Sequence, residues 1–209
     1  MTIQNGSPRL MSHTTTVAVK VDGGVVMGTE SQATMGTLVA SDTAPKILQV
    51  TDHIAMTISG SVADCQQLIN SVRANARLEA LDRGRELTVK AISRLTASIL
   101  FRNRLAPLIS MLLVGGFDDQ GGHIYMLDPL GSMLEEERFT ATGSGSVVAF
   151  GVLEDEYRDN MTAVEGKELV IRAVSAARKR DIASGGAIQI AKITSKGVEL
   201  SIIKEARAS

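Results

Sequence analysis

The order of predicted elements assigns this 209-residue sequence to the α+β class, as a four-layer αββα sandwich in which helix pairs flank two stacked antiparallel sheets. Two observations lead to this prediction. Strand-like and helical segments occur in blocks along the chain and do not alternate one by one, which disfavours a parallel sheet. Short turns that contain glycine also join successive strands, as expected for antiparallel hairpins.

The first predicted strands form two pairs. β-Branched residues alternate on both sides of a glycine-rich turn, which predicts an opening hairpin of Thr15–Val21 and Val25–Thr29. Two more short strands are predicted at Lys46–Val50 and His53–Ser59. The small and polar residues of Gly36–Pro45 predict a loop between the two pairs.

Two helices are predicted next. Apolar residues recur at helical spacing from Val62 to Ala76, and Ser61 with Asp64 resembles a capping box at the start of the first helix. The second helix is predicted from about Thr88 to Arg102 because its apolar residues also share one face. The short link Arg83-Gly84-Arg85 between them favours an antiparallel helix pair.

The second half of the chain repeats the order of strands, two helices and strands, which completes the layered prediction. Its acidic run, Glu135-Glu136-Glu137, is interpreted as a solvated face. The predicted elements are strand Leu108–Val114, turn Gly115–Gly122, strands His123–Leu127 and Phe139–Thr142, a helix after Gly143-Ser144-Gly145-Ser146 that ends near Tyr157, a helix that begins at the Thr162 and Glu165 capping box and ends at Arg178-Lys179-Arg180, and a hairpin of Ala187–Thr194 and Val198–Ile203.

Composition indicates one domain and excludes several kinds of site. The 22 basic and 23 acidic residues nearly cancel and aromatic residues amount to 3%, so we expect no nucleic-acid surface, and no apolar run is long enough to span a membrane. The single cysteine, Cys65, excludes an internal disulfide, suits a reducing cytoplasm and is predicted to be buried. His13, His53 and His123 show no metal-ligand spacing, so we predict no metal and no cofactor.

A run of threonines, Thr14-Thr15-Thr16, stands between a featureless leader of residues 1–13 and the first strand. If the leader were removed, Thr14 would carry both a hydroxyl nucleophile and a free α-amine that could act as its base. Taken alone, the run is better explained by the high β-propensity of threonine.

Seven motifs together favour the nucleophile interpretation because they match one known family in the same order. They are T-T-T-V at Thr14, T-E at Thr29-Glu30, Lys46 at the start of a strand, M-T-I-S-G ending at Gly60, L-L-V-G-G at Leu112–Gly116, T-G-S-G-S at Thr142–Ser146 and R-D-I-A-S-G-G at Arg180–Gly186. From Thr14 to about Ile203 the chain resembles a proteasome β-subunit of the archaeal type. The resemblance implies the N-terminal-nucleophile hydrolase fold, with a propeptide at residues 1–13 and the catalytic domain at residues 14–209.

The resemblance implies a threonine endopeptidase and assigns its catalytic residues. Thr14 would attack the peptide carbonyl with its own amine as the base, and Lys46, paired with Glu30, would be a positive charge beside it. The Gly60 N–H would form the oxyanion hole. The residues that would hold the new N-terminus are Ser144, Asp181 and Ser184.

Each assigned side chain also has a structural interpretation in its local sequence. Lys46 would be an exposed lysine at a strand end, Glu30 a solvated turn residue and Gly60 a strand-to-helix turn. Ser144 would belong to a flexible turn, and Asp181 with Ser184 would cap a helix end.

The residues that match the family's primary specificity pocket are Ala33, Ala44, Leu48, Ile58, Val62 and Gln66. An apolar pocket with no fixed charge implies cleavage after hydrophobic residues. The resemblance also implies partners: proteasome α-subunits and other β-subunits in stacked heptameric rings, a regulatory ATPase and unfolded polypeptide substrates.

The residue before Thr14 leaves open whether this protein is a catalytic or a structural subunit. The family has a glycine there and this chain has His13, whose side chain would hinder the attack of Thr14 on the preceding carbonyl. An attached leader would also keep the Thr14 nitrogen as an amide, which is no base. The alternative is a non-catalytic structural β-subunit that keeps its propeptide and supports ring assembly. A weaker alternative, the related bacterial two-ring protease, is disfavoured by the R-D-I-A-S-G-G segment and the chain length.

Overall fold

A computed structural model describes residues 14–35 and 38–203; the predicted propeptide, including His13, lies outside the described residues. The strands are β1 (Thr16–Val21), β2 (Gly24–Glu30), β3 (Ala33–Met35), β4 (Leu38–Ser41), β5 (Ile47–Thr51), β6 (Ile54–Gly60), β7 (Ser110–Asp118), β8 (Gly121–Leu127), β9 (Met133–Glu136), β10 (Phe139–Thr142), β11 (Ile188–Thr194) and β12 (Gly197–Ile203). The helices are α1 (Val62–Arg83), α2 (Val89–Arg102), α3 (Ser146–Glu156) and α4 (Ala163–Arg178).

Two five-stranded antiparallel sheets form the middle of the molecule. The first has the order β10-β1-β2-β11-β12 and the second β5-β6-β7-β8-β9, and a small ribbon of β3 and β4 lies apart from both. Helices α3 and α4 cover the outer face of the first sheet, and α1 and α2 cover the second. The predicted αββα sandwich is therefore confirmed.

Three apolar layers hold the sandwich together because side chains alternate along each strand. In β1, Val17 and Val19 point toward α3 and α4, whereas Ala18 points between the sheets. Cys65 belongs to the layer under α1 and is fully buried, as predicted, and burial raises the pKa of its thiol to about 12. Among the described residues, no helix is long and apolar enough to cross a membrane.

The predicted helix starts are confirmed, with one difference in their side-chain bonds. The capping box of Thr162 and Glu165 is complete at the start of α4. At the start of α1, the Ser61 hydroxyl accepts the Asp64 N–H at 3.3 Å, but the Asp64 carboxylate accepts the N–H of Ile109 at 2.9 Å. Asp64 therefore ties α1 to the segment before β7 and does not return to its own N-cap.

The predicted turn Gly115–Gly122 is wrong in its extent, because β7 continues to Asp118 and β8 begins at Gly121. Gly115 and Gly116 are strand residues at points of close packing. A Cβ added to Gly115 would lie 2.4 Å from the Met27 Sδ atom, and one added to Gly116 would lie 2.6 Å from a methyl carbon of Val89. These glycines admit neighbouring side chains and do not end the strand.

Besides the three-residue strand β3, two short strands were not expected from the sequence. Part of the predicted loop Gly36–Pro45 is strand β4, and the acidic run contributes to edge strand β9. Glu135 and Glu137 are exposed, as expected for a solvated face, and Glu135 also accepts a hydrogen bond from the Tyr125 hydroxyl at 2.9 Å. Both strands are short and partly exposed, with Leu38 and Leu134 largely in solvent, so their sequences lack the alternation that marks a half-buried strand.

We expect Gly116→Ala to lower the free energy of unfolding by roughly 1–3 kcal/mol, because the new methyl group overpacks the layer between β7 and α2. The matched control is Gly151→Ala in α3, where nothing lies within 4 Å of an added Cβ and alanine favours the helix. Urea unfolding of the two variants measures the difference. Equal stability of both variants would contradict the packing role of Gly116.

Candidate active site

Six of the seven predicted catalytic residues bring their side chains or backbone atoms into one hydrogen-bonded cluster at one end of the sandwich, and Gly60 lies beside it. The cluster is assembled from separate segments because the turns and strand ends of both sheets meet there. Thr14 precedes β1, Glu30 ends β2, Lys46 precedes β5, Gly60 ends β6, Ser144 lies between β10 and α3, and Asp181 and Ser184 lie between α4 and β11.

A buried ion pair stands beside the Thr14 hydroxyl. The Lys46 ammonium donates a hydrogen bond to the Thr14 Oγ1 atom at 3.0 Å and forms a salt bridge with the Glu30 carboxylate. Thr14 and Lys46 are each 3% exposed and Glu30 is fully buried. The structural interpretations of Lys46 as an exposed strand-end residue and Glu30 as a solvated residue are therefore wrong.

The second oxygen of the Glu30 carboxylate is held by the backbone. It accepts the N–H of Gln32 at 2.6 Å and that of Gly185 at 3.1 Å. Burial raises the pKa of the Glu30 carboxyl, while Lys46 and these N–H groups oppose the shift. Burial likewise lowers the pKa of the Lys46 ammonium, and the charge and hydrogen bond of Glu30 oppose that change. The two partners and the backbone N–H groups thus offset part of the cost of burying these charges.

A second network reaches the nitrogen of Thr14. The Thr14 N–H donates to the Ser144 hydroxyl at 3.2 Å, and that hydroxyl donates to the Asp181 Oδ2 atom at 2.7 Å. The Ser184 hydroxyl donates to the same Asp181 oxygen at 2.6 Å and lies 2.7 Å from the Thr15 hydroxyl. Both the oxygen and the nitrogen of Thr14 are consequently oriented by side chains from other segments.

Glycines let the loop after β10 approach the threonine run. Gly143 has φ +93°, and a Cβ there would lie 2.0 Å from the Thr14 carbonyl oxygen. A Cβ at Gly145 would lie 2.0 Å from the Thr15 hydroxyl oxygen. The turn that carries Ser144 is therefore anchored against the site, in place of the flexible turn that its local sequence suggested.

Gly60 lies next to this cluster, and its backbone conformation requires a glycine. Its φ is +132°, and a Cβ would lie 2.2 Å from the Ile109 carbonyl oxygen. The hydroxyl oxygen of the preceding residue, Ser59, lies 3.0 Å from the position that a Cβ on Gly143 would occupy. The end of β6 therefore faces the loop that covers Thr14, and the structural role of Gly60 as a strand-to-helix turn is present.

The predicted pocket residues fall into three groups. Ile58 is buried in the layer under α1, and Leu48 packs against the same layer. Val62 and Gln66 are exposed on the first turns of α1, one above the other. Ala33 in β3 and Ala44 before β5 are partly buried.

Sequence reasoning missed Gln189, Thr15 and Gly185, which hold the predicted residues in place. Gln189 has the strongest sequence signal, because it is a polar residue between two isoleucines, Ile188 and Ile190. Its side chain bonds the backbone around Lys46. Thr15 and Gly185 lie within the T-T-T-V and R-D-I-A-S-G-G motifs, but their contacts were not predicted, since their partners Ser184 and Glu30 are distant in sequence.

The described residues include no group of three or more histidine, cysteine, aspartate or glutamate side chains that could hold a metal ion. The chemistry that the cluster offers is a hydroxyl oxygen beside a fixed ammonium, with a nitrogen of the same residue held by a hydroxyl and carboxylate network. This arrangement fits a nucleophile on Thr14 once its nitrogen is a free amine.

Comparison with known proteins identifies similar sequences. The family model described as "Proteasome subunit" matches residues 11–193. "Proteasome subunit beta" of Methanosarcina thermophila is 47% identical over 186 residues, which cover 89% of each chain. The protein of the same description from Methanosarcina barkeri is 45% identical over 204 residues, 96% of this chain and 97% of its own. That of Archaeoglobus fulgidus is 45% identical over 186 residues, 89% of this chain and 87% of its own.

We expect Glu30→Ala to lower the free energy of unfolding by roughly 3 kcal/mol, because it leaves the Lys46 ammonium buried without its partner. Adding Lys46→Met to this variant should recover much of the loss. The control is Glu199→Ala, which removes one member of the exposed Lys192–Glu199 pair and should change stability little. Urea unfolding of the four proteins measures these differences, and no recovery in the double variant would contradict the pairing.

Proposed function

Because the chain belongs to the proteasome subunit family and is a β-subunit of the core particle, we propose that it is a threonine endopeptidase whose nucleophile is Thr14. The observation that carries the proposal is the position of the buried Lys46 ammonium, 3.0 Å from the Thr14 hydroxyl oxygen. An apolar side chain could fill the space of a buried lysine without the cost of burying charge. The pairing of Lys46 with the Glu30 carboxylate therefore indicates a chemical role and not a packing role.

In the proposed reaction, cleavage before Thr14 first converts its nitrogen from an amide to an amine. The amine takes the proton of the Thr14 hydroxyl, directly or through a water, as the oxygen attacks the substrate carbonyl. It then gives this proton to the departing amine of the cleaved peptide bond, which leaves an ester on Thr14. Water activated by the same amine hydrolyses the ester and restores the hydroxyl.

Electrostatics would assist each step. An α-amine has a pKa of about 8, and the adjacent Lys46 ammonium would lower this pKa toward neutral pH. The same positive charge would reduce the cost of developing negative charge on the Thr14 oxygen. The Gly60 N–H would stabilise the oxyanion, a contribution of typically about 3 kcal/mol for one well-placed donor.

Ser144, Asp181 and Ser184 would position the amine. The Ser144 hydroxyl already accepts a hydrogen bond from the Thr14 N–H and donates one to Asp181. The same contact would hold the amine with its lone pair toward the Thr14 oxygen. Ser184 shares the Asp181 oxygen and so fixes the carboxylate.

The proposal requires that residues 1–13 be a propeptide that is removed, leaving residues 14–209 as the mature domain. His13 favours the alternative, a structural β-subunit that keeps its leader, because a bulky residue hinders attack on the carbonyl before Thr14. Retention of the buried Lys46–Glu30 pair favours the catalytic form. The fate of the bond between His13 and Thr14 decides between the two.

We further propose that the subunit works in the cytoplasm inside stacked heptameric rings with α-subunits and other β-subunits. A protease of broad specificity must be kept from folded proteins, and enclosure in a barrel fed by a regulatory ATPase would restrict it to unfolded polypeptides. The apolar residues Ala33, Ala44, Leu48, Ile58 and Val62, with Gln66 at the edge, would form the specificity pocket.

The intact mass of the subunit in the assembled particle tests the proposed function. We expect a mass that begins at Thr14, and we expect Thr14→Ala to lower peptide hydrolysis by about a thousandfold or more, because the nucleophile is lost. Thr43→Ala, which changes an exposed threonine, is the control and should retain activity. A full-length mass in active particles, or an active Thr14→Ala variant, would remove Thr14 from this role and support the structural alternative.

A panel of fluorogenic peptides tests the pocket. We expect cleavage after hydrophobic residues to exceed cleavage after Arg or Asp by at least about tenfold, because no charge in the predicted pocket compensates a charged side chain. Val62→Asp should increase cleavage after Arg by placing a carboxylate in the predicted pocket. Val164→Asp makes the same change in the first turn of α4 and should leave the preference unchanged. Strong wild-type cleavage after Arg or Asp would contradict the pocket assignment.

A further inference from the structure

We propose that Gln189 is a positioning residue of the active site, which fixes the segment Ala44–Lys46 and thereby sets both the Lys46 ammonium and the pocket wall at Ala44. This inference rests on the proposed function. Gln189 lies on β11 of the first sheet, whereas the segment that it holds leads into β5 of the second sheet.

The Gln189 side chain makes three hydrogen bonds to the backbone of this segment. Its Oε1 atom accepts the N–H groups of Lys46 at 2.9 Å and Ile47 at 3.3 Å. Its Nε2 atom donates to the Ala44 carbonyl oxygen at 2.7 Å. Only one orientation of the amide satisfies two donors on one side and an acceptor on the other, so the network itself determines that orientation.

The segment needs this support because it lies at the edge of its sheet. In the described parts of the chain, β5 pairs with β6 alone, and Pro45 has no N–H to donate. The other backbone bonds here join Ile58 N to the Lys46 oxygen and Ala44 N to the Ser31 oxygen, each at 2.9 Å. Without Gln189, the N–H groups of Lys46 and Ile47 would lose their acceptor in a buried region.

The strand that presents Gln189 is itself rigidly placed. Strand β11 lies inside the first sheet between β2 and β12, with Gln189 opposite Thr29 and Ile188 opposite Glu30. The Lys46 backbone is therefore tied to β11, and its ammonium is tied to Glu30 at the end of the neighbouring β2. These two attachments hold Lys46 at both ends relative to Thr14.

Loss of the Gln189 amide should change both the pH dependence and the rate of peptide hydrolysis. If the Lys46 ammonium moves away, the Thr14 amine loses a neighbouring positive charge and its pKa rises. The base is active only when neutral, so the acidic limb of the pH profile should move to higher pH. A small displacement of catalytic groups also lowers the rate, by up to about a hundredfold for 1 Å.

The test compares Gln189→Met with wild type and Ile193→Val in the assembled particle, using peptide hydrolysis against pH and hydrogen exchange of the backbone. Ile193 lies on the same strand and the same inter-sheet face as Gln189, away from the site, so Ile193→Val controls for packing. We expect Gln189→Met to lower kcat about tenfold or more, to move the acidic limb upward and to speed exchange at residues 46 and 47. Ile193→Val should do none of these.

Three outcomes distinguish a positioning role of Gln189 from a purely structural role and from failure of the proposed function. Faster exchange with unchanged kcat and pH profile would overturn the positioning role, as would a loss of activity with an unmoved acidic limb. If wild-type hydrolysis proves independent of Thr14, the proposed function fails, while the exchange data still report whether Gln189 holds the segment. Gln189→Asn, whose amide is one methylene shorter and cannot reach all three groups, replaces Gln189→Met if that variant does not assemble.

Discussion

The buried ion pair of Lys46 and Glu30 is the interaction on which the rest of the site depends. Removing two charges from water costs several kcal/mol for each ion, and attraction compensates this only when every remaining polar atom is bonded. The surrounding segments supply such bonds to both Glu30 oxygens and to the Lys46 ammonium. Gln32 and Gly185 bond the second Glu30 oxygen, and the Thr14 hydroxyl accepts from Lys46. The turn between α4 and β11 is thus needed for electrostatic balance as well as for placing Asp181.

The space between the two sheets divides into an apolar and a polar end. Met27, Leu113 and Ile124 fill the apolar end. Toward Thr14 the strands of the first sheet present hydroxyl groups: Thr29 continues the face of Met27, and the Thr16 hydroxyl lies 2.7 Å from the Thr142 hydroxyl. Apolar packing joins the sheets at one end, which leaves the other end free to hold a charged site whose groups are bonded to one another.

Most of the long elements followed from local sequence because their signals are local. Helical periodicity and caps located α1 and α4, and glycine turns located the first and last hairpins. Short exposed strands such as β4 and β9 were not predicted, because β-propensity alone is a weak signal over four residues. Local sequence predicts a turn at Gly115 and Gly116, because the side chains that these glycines accommodate, Met27 and Val89, lie far away in sequence.

The sequence by itself determined the fold class and the family, and through the family the residues of the cluster, since motif order and strand pattern are properties of the linear chain. The tertiary structure alone decided that the Lys46 ammonium reaches the Thr14 hydroxyl, that Asp181 serves two serines, and that Gln189 joins the sheets at this point. These contacts join residues up to 143 positions apart. Folding brings them together, and no local pattern encodes a distance between segments that meet only when both sheets have formed.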